Sequence, residues 1–305
     1  MGVYEELQQR LELAGLRPSA RRGQNFLLDA NQLQFIADLA CLSADDVVLE
    51  VGPGSGLLTR WLARSGCLVL GVELDSGLLA IAREETAGLP NVFYMRADIL
   101  AGKNRINSDV LTRLRELPAV NGGGRTGGKS PSGSLKCVSN LPYSAGTPFV
   151  LNLLSSPLPW SLGVFLLQLE VGERLIAAPG SREYGALSIA ARLAAQTTIE
   201  RVVSPRAFWP RPKVDSAVVR MEFLPVAERT ALPWRALRAV TRAVFGSRRK
   251  ILRNAFKDLA QPQDPTALLR QAGLDPEGRG ENLRPDEFLG LARLVSSRPD
   301  SEWEE

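Results

Sequence analysis

Residues 46–56 read Asp46-Val47-Val48-Leu49-Glu50-Val51-Gly52-Pro53-Gly54-Ser55-Gly56. The first six include three β-branched valines and a leucine in a mostly apolar run, as suits a strand covered on both faces. Three glycines at alternate positions then end the run, and residues 57–63 follow with helical spacing. A strand that passes through a glycine turn into a helix brings bare backbone to the carboxyl edge of a parallel sheet. A ligand can approach closely there.

The same unit recurs on the carboxyl side. Residues 67–72 form a second apolar run ending at Glu73, with a helix from 76 to about 86. Strands are predicted at 91–95, 136–139 and 162–169, helices at 171–178 and 186–195, and a closing antiparallel pair at 202–203 and 214–223. This alternation specifies an α/β fold around a parallel sheet. The loop Phe208-Trp209-Pro210-Arg211-Pro212 is too rich in proline for a central strand. From Pro225 only amphipathic helical patterns remain, over 233–245, 247–259, 266–272 and 285–295. The expected division is a catalytic domain over 1–224, a helical domain over 225–296 and a polar tail over 297–305.

Residues 121–134 are rich in glycine and serine with no apolar residue, and read as a flexible insertion. Gly123 to Ser130 formally matches a phosphate-loop pattern. No strand leads into it, however, and Pro131 follows where a helix would have to start.

Composition narrows the chemistry. A chain of 305 residues suits two domains, and 45% hydrophobic with 23% charged residues is ordinary for a soluble protein. Cys41, Cys67 and Cys137 have no C-x-x-C spacing, which speaks against zinc and iron–sulfur sites, so no metal is expected. The chain contains no histidine. Triads built on histidine, His-ligated zinc deaminases and imidazole acid–base catalysis are therefore excluded. The run near 162–169 is too short to span a bilayer, and the first residues are acidic where a signal peptide is basic. A cytoplasmic protein with no membrane partner is expected. The net charge of +4 leans towards a polyanionic partner.

Three strand ends carry polar groups beside the glycine turn. Glu73 can take both hydroxyls of a ribose. That would suit a nicotinamide dinucleotide as well as S-adenosylmethionine, but the Gly52-x-Gly54-x-Gly56 spacing and Pro53 depart from the dinucleotide pattern. Asp98 follows the third strand and can accept from an adenine amino group. Asn140-Leu141-Pro142-Tyr143 follows the fourth and resembles the [DNS]-P-P-[YF] element of methyltransferases that act on amino nitrogens. Its residue types suit that task. The Asn140 amide oxygen and the Leu141 carbonyl can accept the two hydrogens of a conjugated amine and favour its pyramidal form. Pro142 stiffens the turn, and Tyr143 offers a stacking face for an extruded base.

Seven stretches in order carry a family resemblance: Gly23-Gln24-Asn25-Phe26-Leu27, Glu50-Val51-Gly52-Pro53-Gly54, Val72-Glu73-Leu74-Asp75, Asn140-Leu141-Pro142-Tyr143, Glu183-Tyr184-Gly185-x-Leu187-Ser188, 212–220 and Ser247-Arg248-Arg249-Lys250-x-Leu252-Arg253-Asn254. Together they resemble the small-subunit rRNA dimethyladenosine transferases. The resemblance implies a class I methyltransferase fold, a Rossmann-like α/β sheet with a smaller all-helical C-terminal domain. It implies transfer of methyl groups from S-adenosylmethionine to N6 of two adjacent adenines near the 3′ end of small-subunit rRNA, during small-subunit maturation. Asn25, Leu27, Gly52, Gly54, Glu73, Asp98 and Asn140 would hold the donor, and Phe208 would cover the second face of the base. The partner would be that RNA or an immature small subunit, and the enzyme a monomer. Ser144-Ala145-Gly146, Trp209 and Arg211 depart from the family pattern.

A helix from Ser247 would place Arg249 and Arg253 one turn apart on one face. With Arg248 and the N-terminal Arg21 and Arg22, these residues are the expected RNA contacts. Competing readings are a large-subunit rRNA methyltransferase of the same fold, a DNA adenine methyltransferase, a non-catalytic nucleic-acid-binding factor and a nicotinamide-dependent oxidoreductase.

Overall fold

The computed structural model describes residues 2–18, 24–102, 105–117, 133–248, 250–260 and 263–297. Its strands are β1 Phe26–Leu27, β2 Val47–Val51, β3 Leu68–Glu73, β4 Val92–Arg96, β5 Leu135–Asn140, β6 Trp160–Gln168, β7 Ala195–Val203, β8 Phe208–Trp209 and β9 Ser216–Phe223. Its helices are α1 Val3–Leu13, α2 Ala30–Leu39, α3 Leu57–Ala63, α4 Ser76–Glu85, α5 Ser108–Glu116, α6 Gly146–Leu154, α7 Leu169–Ile176, α8 Ala186–Ala194, α9 Val226–Thr230, α10 Trp234–Phe245, α11 Leu252–Ala255, α12 Pro265–Gln271 and α13 Pro285–Ser296.

The seven-stranded sheet runs β4-β3-β2-β5-β6-β9-β7. Its first five strands are parallel, and β9 is antiparallel to both β6 and β7. Residues of β2 alternate between two packed layers. Val47, Leu49 and Val51 join the core that contains Phe149 and Phe165, while Val48 joins the core that contains Leu58 and Leu62. Two covered faces explain the near-continuous apolar runs.

Chain order reverses between β2 and β5, because β3 lies on one side of β2 and β5 on the other. Ligands of open α/β sheets bind at such a point. The ladder between β2 and β5 stops at Leu49↔Cys137. Beyond it the Val51 N–H donates to the Ser139 side-chain Oγ at 2.8 Å rather than to a backbone carbonyl. A side chain between the strands holds them apart, so a crevice opens at their carboxyl ends.

Several expectations change. The last strand before Phe208 covers Ala195–Val203, not just 202–203, and α8 passes straight into it. Phe208 and Trp209 are strand after all, paired with Leu27 and Phe26 in a separate two-stranded sheet rather than in the main one. No continuous helix covers 247–259. The N–H groups of Leu252 and Arg253 donate to Gly278 O and Pro276 O, and Ile251 bridges Arg279. These donors are committed to a distant loop, so helix begins only at Leu252.

The chain changes element type near Pro225, but the packing crosses that point. Ala177, Tyr184 and Ile189 share one core with Leu237, Val240, Phe256 and Phe288. Most of the expected insertion lies outside the described residues. Its end does not behave as a free linker, since Ser134 N–H donates to Asp46 Oδ1 at 2.7 Å and Ser134 O accepts from Val47.

Candidate functional site

The crevice at the end of β2 is a cavity of about 320 Å3. Asn25, Leu27, Gly52, Gly54, Glu73, Asp98, Asn140, Leu141, Pro142 and Tyr143 all line it. Four strand ends and one N-terminal segment meet there. A larger hollow of about 650 Å3 lies at the outer edge of β4, lined by Arg83, Tyr94 and Arg113, and touches none of these residues.

The glycines form the floor of the cavity. Gly52 and Gly54 have φ of +66° and +55°, values that side chains disfavour. A Cβ on Gly54 would also lie 3.0 Å from the Phe26 ring, and one on Gly52 would lie 3.2 Å from Pro142. Backbone is therefore what faces the cavity. Glu73 ends β3 there with its carboxylate organised from within. Oε2 accepts from Gly54 N–H at 3.2 Å and Oε1 from Asp75 N–H at 2.9 Å. Burial raises the Glu73 carboxyl above its usual range, against the pull of those two N–H groups. Each oxygen keeps a second lone pair for a ribose hydroxyl. Asp98 is exposed, and its Oδ1 accepts from Leu100 N–H at 2.9 Å.

Asn140 ends β5. Its Nδ2 donates to the Asn25 carbonyl at 3.0 Å. Facing a carbonyl fixes which end of the amide is nitrogen, so Oδ1 is turned the other way. Leu141 is buried, and its N–H donates to Leu166 O at 2.9 Å. The Pro142 carbonyl accepts from the N–H groups of Ala145 and Gly146, closing the turn that starts α6. Tyr143 is partly buried, and its hydroxyl lies 2.7 Å from Ser216 Oγ.

Three expected residues sit elsewhere. Phe208 is 5% exposed and packs with Leu27, Val203 and Val218 in the core, not on the cavity wall. Its β8 backbone pairing with β1 turns the ring inward. Arg248 is partly exposed, but its guanidinium is already engaged within the chain. Its guanidinium donates to Arg182 O at 2.7 Å, Tyr184 O at 2.6 Å and Ser181 O at 3.4 Å. It therefore joins the Glu183-Tyr184-Gly185 stretch to the helical region. Arg253 is half-exposed and pairs with Glu277 at 2.5 Å. Arg21, Arg22 and Arg249 lie outside the described residues.

Other contributors were missed from sequence. Phe26, Leu33, Leu57, Leu58 and Leu78 supply apolar wall, and Ser139 supplies the spacer. Among the described residues no group of acidic, cysteine or histidine side chains could hold a metal, and no helix is long and apolar enough to cross a membrane.

A family model described as ribosomal RNA adenine dimethylase matches residues 17–296. The chain is 39% identical over 294 residues to ribosomal RNA small subunit methyltransferase A of Anaeromyxobacter sp. strain K, covering 96% of this chain and 98% of the relative. It is 37% identical over 286 residues to the protein of that name in Geobacter metallireducens, covering 92% and 96%. A solved dimethyladenosine transferase from Plasmodium falciparum shares the fold, with TM-score 0.67 and 22% identity over 86% of this chain and 94% of that one. The 23S rRNA methyltransferase ErmE matches with TM-score 0.57 and 25% identity over 89% and 99%. The class I methyltransferase architecture, with a helical C-terminal region, and the family's methyl donor, S-adenosylmethionine, follow. With a glycine-floored cavity at the sheet's reversal point and an Asn-Leu-Pro-Tyr turn on its rim, the chain belongs to the ribosomal RNA adenine dimethylase family.

Proposed function

We propose that the protein methylates N6 of two adjacent adenines near the 3′ end of small-subunit rRNA, giving N6,N6-dimethyladenosine during maturation of that subunit. The observation that carries this reading is the convergence of Asn140-Leu141-Pro142-Tyr143, Glu73 and the glycine turn on one cavity. The residues present fit S-adenosylmethionine, because glycine backbone and the buried carboxylate of Glu73 face one cavity with apolar walls. Glu73 would hold ribose hydroxyls, Asp98 the adenine amino group, and Gly52, Gly54, Asn25 and Leu27 the rest of the donor. Bound S-adenosylmethionine supplies a methyl group on a positively charged sulfur.

The chain's own residues prepare the amine. Asn140 Oδ1, turned away from Asn25, accepts one N6 hydrogen, and the Leu141 carbonyl accepts the other. Both bonds favour the pyramidal nitrogen and direct its lone pair. Tyr143 stacks on the extruded base. No histidine or other general base is needed, since the methylated amine is acidic enough to release its proton to water.

Arg21, Arg22, Arg249 and Arg253 would contact phosphate, without Arg248. The enzyme would act as a cytoplasmic monomer on rRNA or an immature small subunit. Incubation with labelled methyl donor and unmodified small subunits, followed by nucleoside analysis, tests the reading. Dimethyladenosine in small-subunit RNA is expected. Because ErmE is described as a 23S rRNA methyltransferase, large subunits belong in the same experiment, and label found only there would replace the substrate assignment.

A further inference from the structure

We infer that Ser216 is a positioning residue for adenine methylation, acting through the hydroxyl of Tyr143. The inference rests on the proposed function, in which Tyr143 stacks on the target base. Tyr143 Oη and Ser216 Oγ lie 2.7 Å apart. The two residues are 73 positions apart in sequence, and the sheet brings them together. Because β9 runs antiparallel to β6, its first residue reaches the edge where the parallel strands end.

Ser216 is a rigid anchor. It is 0% exposed and sits in register with Gln168 on one side and Val203 on the other. The preceding carbonyl, of Asp215, accepts from Leu169 N–H at 3.0 Å, which fixes the strand's entry. Ser216 does not line the cavity itself.

Tyr143 is thereby held at both ends. Its backbone lies in the turn closed on the Pro142 carbonyl, and its hydroxyl is tied to the sheet. A tyrosine ring has two side-chain torsions, and fixing Cα and Oη together leaves little freedom in either. The stacking plane is then set before the base arrives, so less ordering is required at binding. Phe208 packs in the core, so in this structure the ring's orientation is set by Ser216 rather than by a second aromatic face.

A test compares Tyr143→Phe, Ser216→Ala and the double variant. The readouts are kcat and KM for small-subunit methylation, calorimetric affinity for S-adenosylmethionine, and Tm. Each single variant is expected to lower kcat by about 3- to 10-fold, the factor that one neutral hydrogen bond represents. The double variant should fall no further than either single one. Affinity for the donor should stay within about 2-fold of wild type, since neither hydroxyl faces Glu73 or the glycine turn. Ser216→Ala with wild-type kcat, or additive losses in the double variant, would overturn the assignment. If Ser216→Ala fails to fold, Tyr143→Phe decides alone, and wild-type kcat in that variant overturns it equally. Absence of dimethyladenosine even with wild-type enzyme would overturn the proposed function and this role together.

Discussion

Glu50, the acidic residue inside the glycine-turn stretch, is 1% exposed, and its Oε2 has no hydrogen-bond partner among the described residues. Burial pushes its carboxyl up to about 8 from 4.5, with the neighbouring Glu73 charge adding to the rise. The Thr59 hydroxyl eases the shift without reaching hydrogen-bonding geometry. The folded protein therefore keeps a proton that the unfolded chain releases. This contribution is fully present below about pH 4.5 and is lost as pH rises through about 8. Glu50→Gln should flatten the fall in stability across that window and raise Tm at pH 8 relative to wild type, which melting curves between pH 5 and 8 would check. Parallel curves for the two proteins would mean that Glu50 is already ionised. Glu73→Ala should weaken donor binding by roughly 1.5–3 kcal/mol, the range for hydrogen bonds to a charged group. Calorimetry on the folded variant measures it directly. Asn140→Ala should spare donor affinity within a few-fold while lowering turnover on the order of 10²–10³, as when a transition-state hydrogen-bond partner is removed. Near-normal turnover would remove Asn140 from the mechanism.

Between elements, the contacts of Arg248 decide more than its charge does. It lies just after α10 and reaches three carbonyls in the 181–184 segment, while Tyr184 Oη reaches back to Leu283 O at 2.8 Å. The two family stretches around Tyr184 and Arg248 thus form one joint between sheet and helical region. Arg248→Ala leaves those carbonyls short of donors and should cost about 1–3 kcal/mol of stability. Donor affinity should not change. A variant with wild-type Tm and reduced RNA affinity would instead make Arg248 an RNA contact. A continuous helix from Ser247 that would put Arg253 one turn beyond Arg249 is not formed, because Ser247, Arg248, Lys250 and Ile251 are not α-helical. Arg253 is half-exposed beside Glu277 at that surface.

Across the whole molecule, the sheet and the C-terminal region are pinned by a buried cation that pairs with no carboxylate among the described residues. Arg229 is 1% exposed and donates to the carbonyls of Leu224, Leu154, Ser156 and Leu158. Two of these lie at and just past the end of α6, where carbonyls lack helical partners and the dipole favours positive charge. Arg229→Met would keep much of the volume and strand four acceptors. A loss of about 3–5 kcal/mol is expected, comparable to breaking a buried charged network. Denaturant unfolding should show it, and a variant as stable as wild type would mean water replaces the guanidinium.

The glycine turn, the strand before it and the Asn140-Leu141-Pro142-Tyr143 tetrapeptide were legible because local backbone preference and apolar pattern decide them. Positive φ at Gly52 and Gly54 is set within a few residues. The helices α1, α2, α5 and α6 lie outside the expected elements although local signals exist for them. Asp29, for example, caps α2 by accepting from Asn31 and Gln32 N–H groups. Other features were beyond the sequence's reach. Phe208 turned into the core, β7 extended back to Ala195, and Arg248 and Ile251 avoided helix because partners far along the chain claimed their backbone or side chains. The meeting of Tyr143 with Ser216 is of the same kind. Periodicity and spacing report on neighbours within a turn or a strand. Which strand lies beside which, and whose carbonyl takes a given N–H, is settled only when the layers pack.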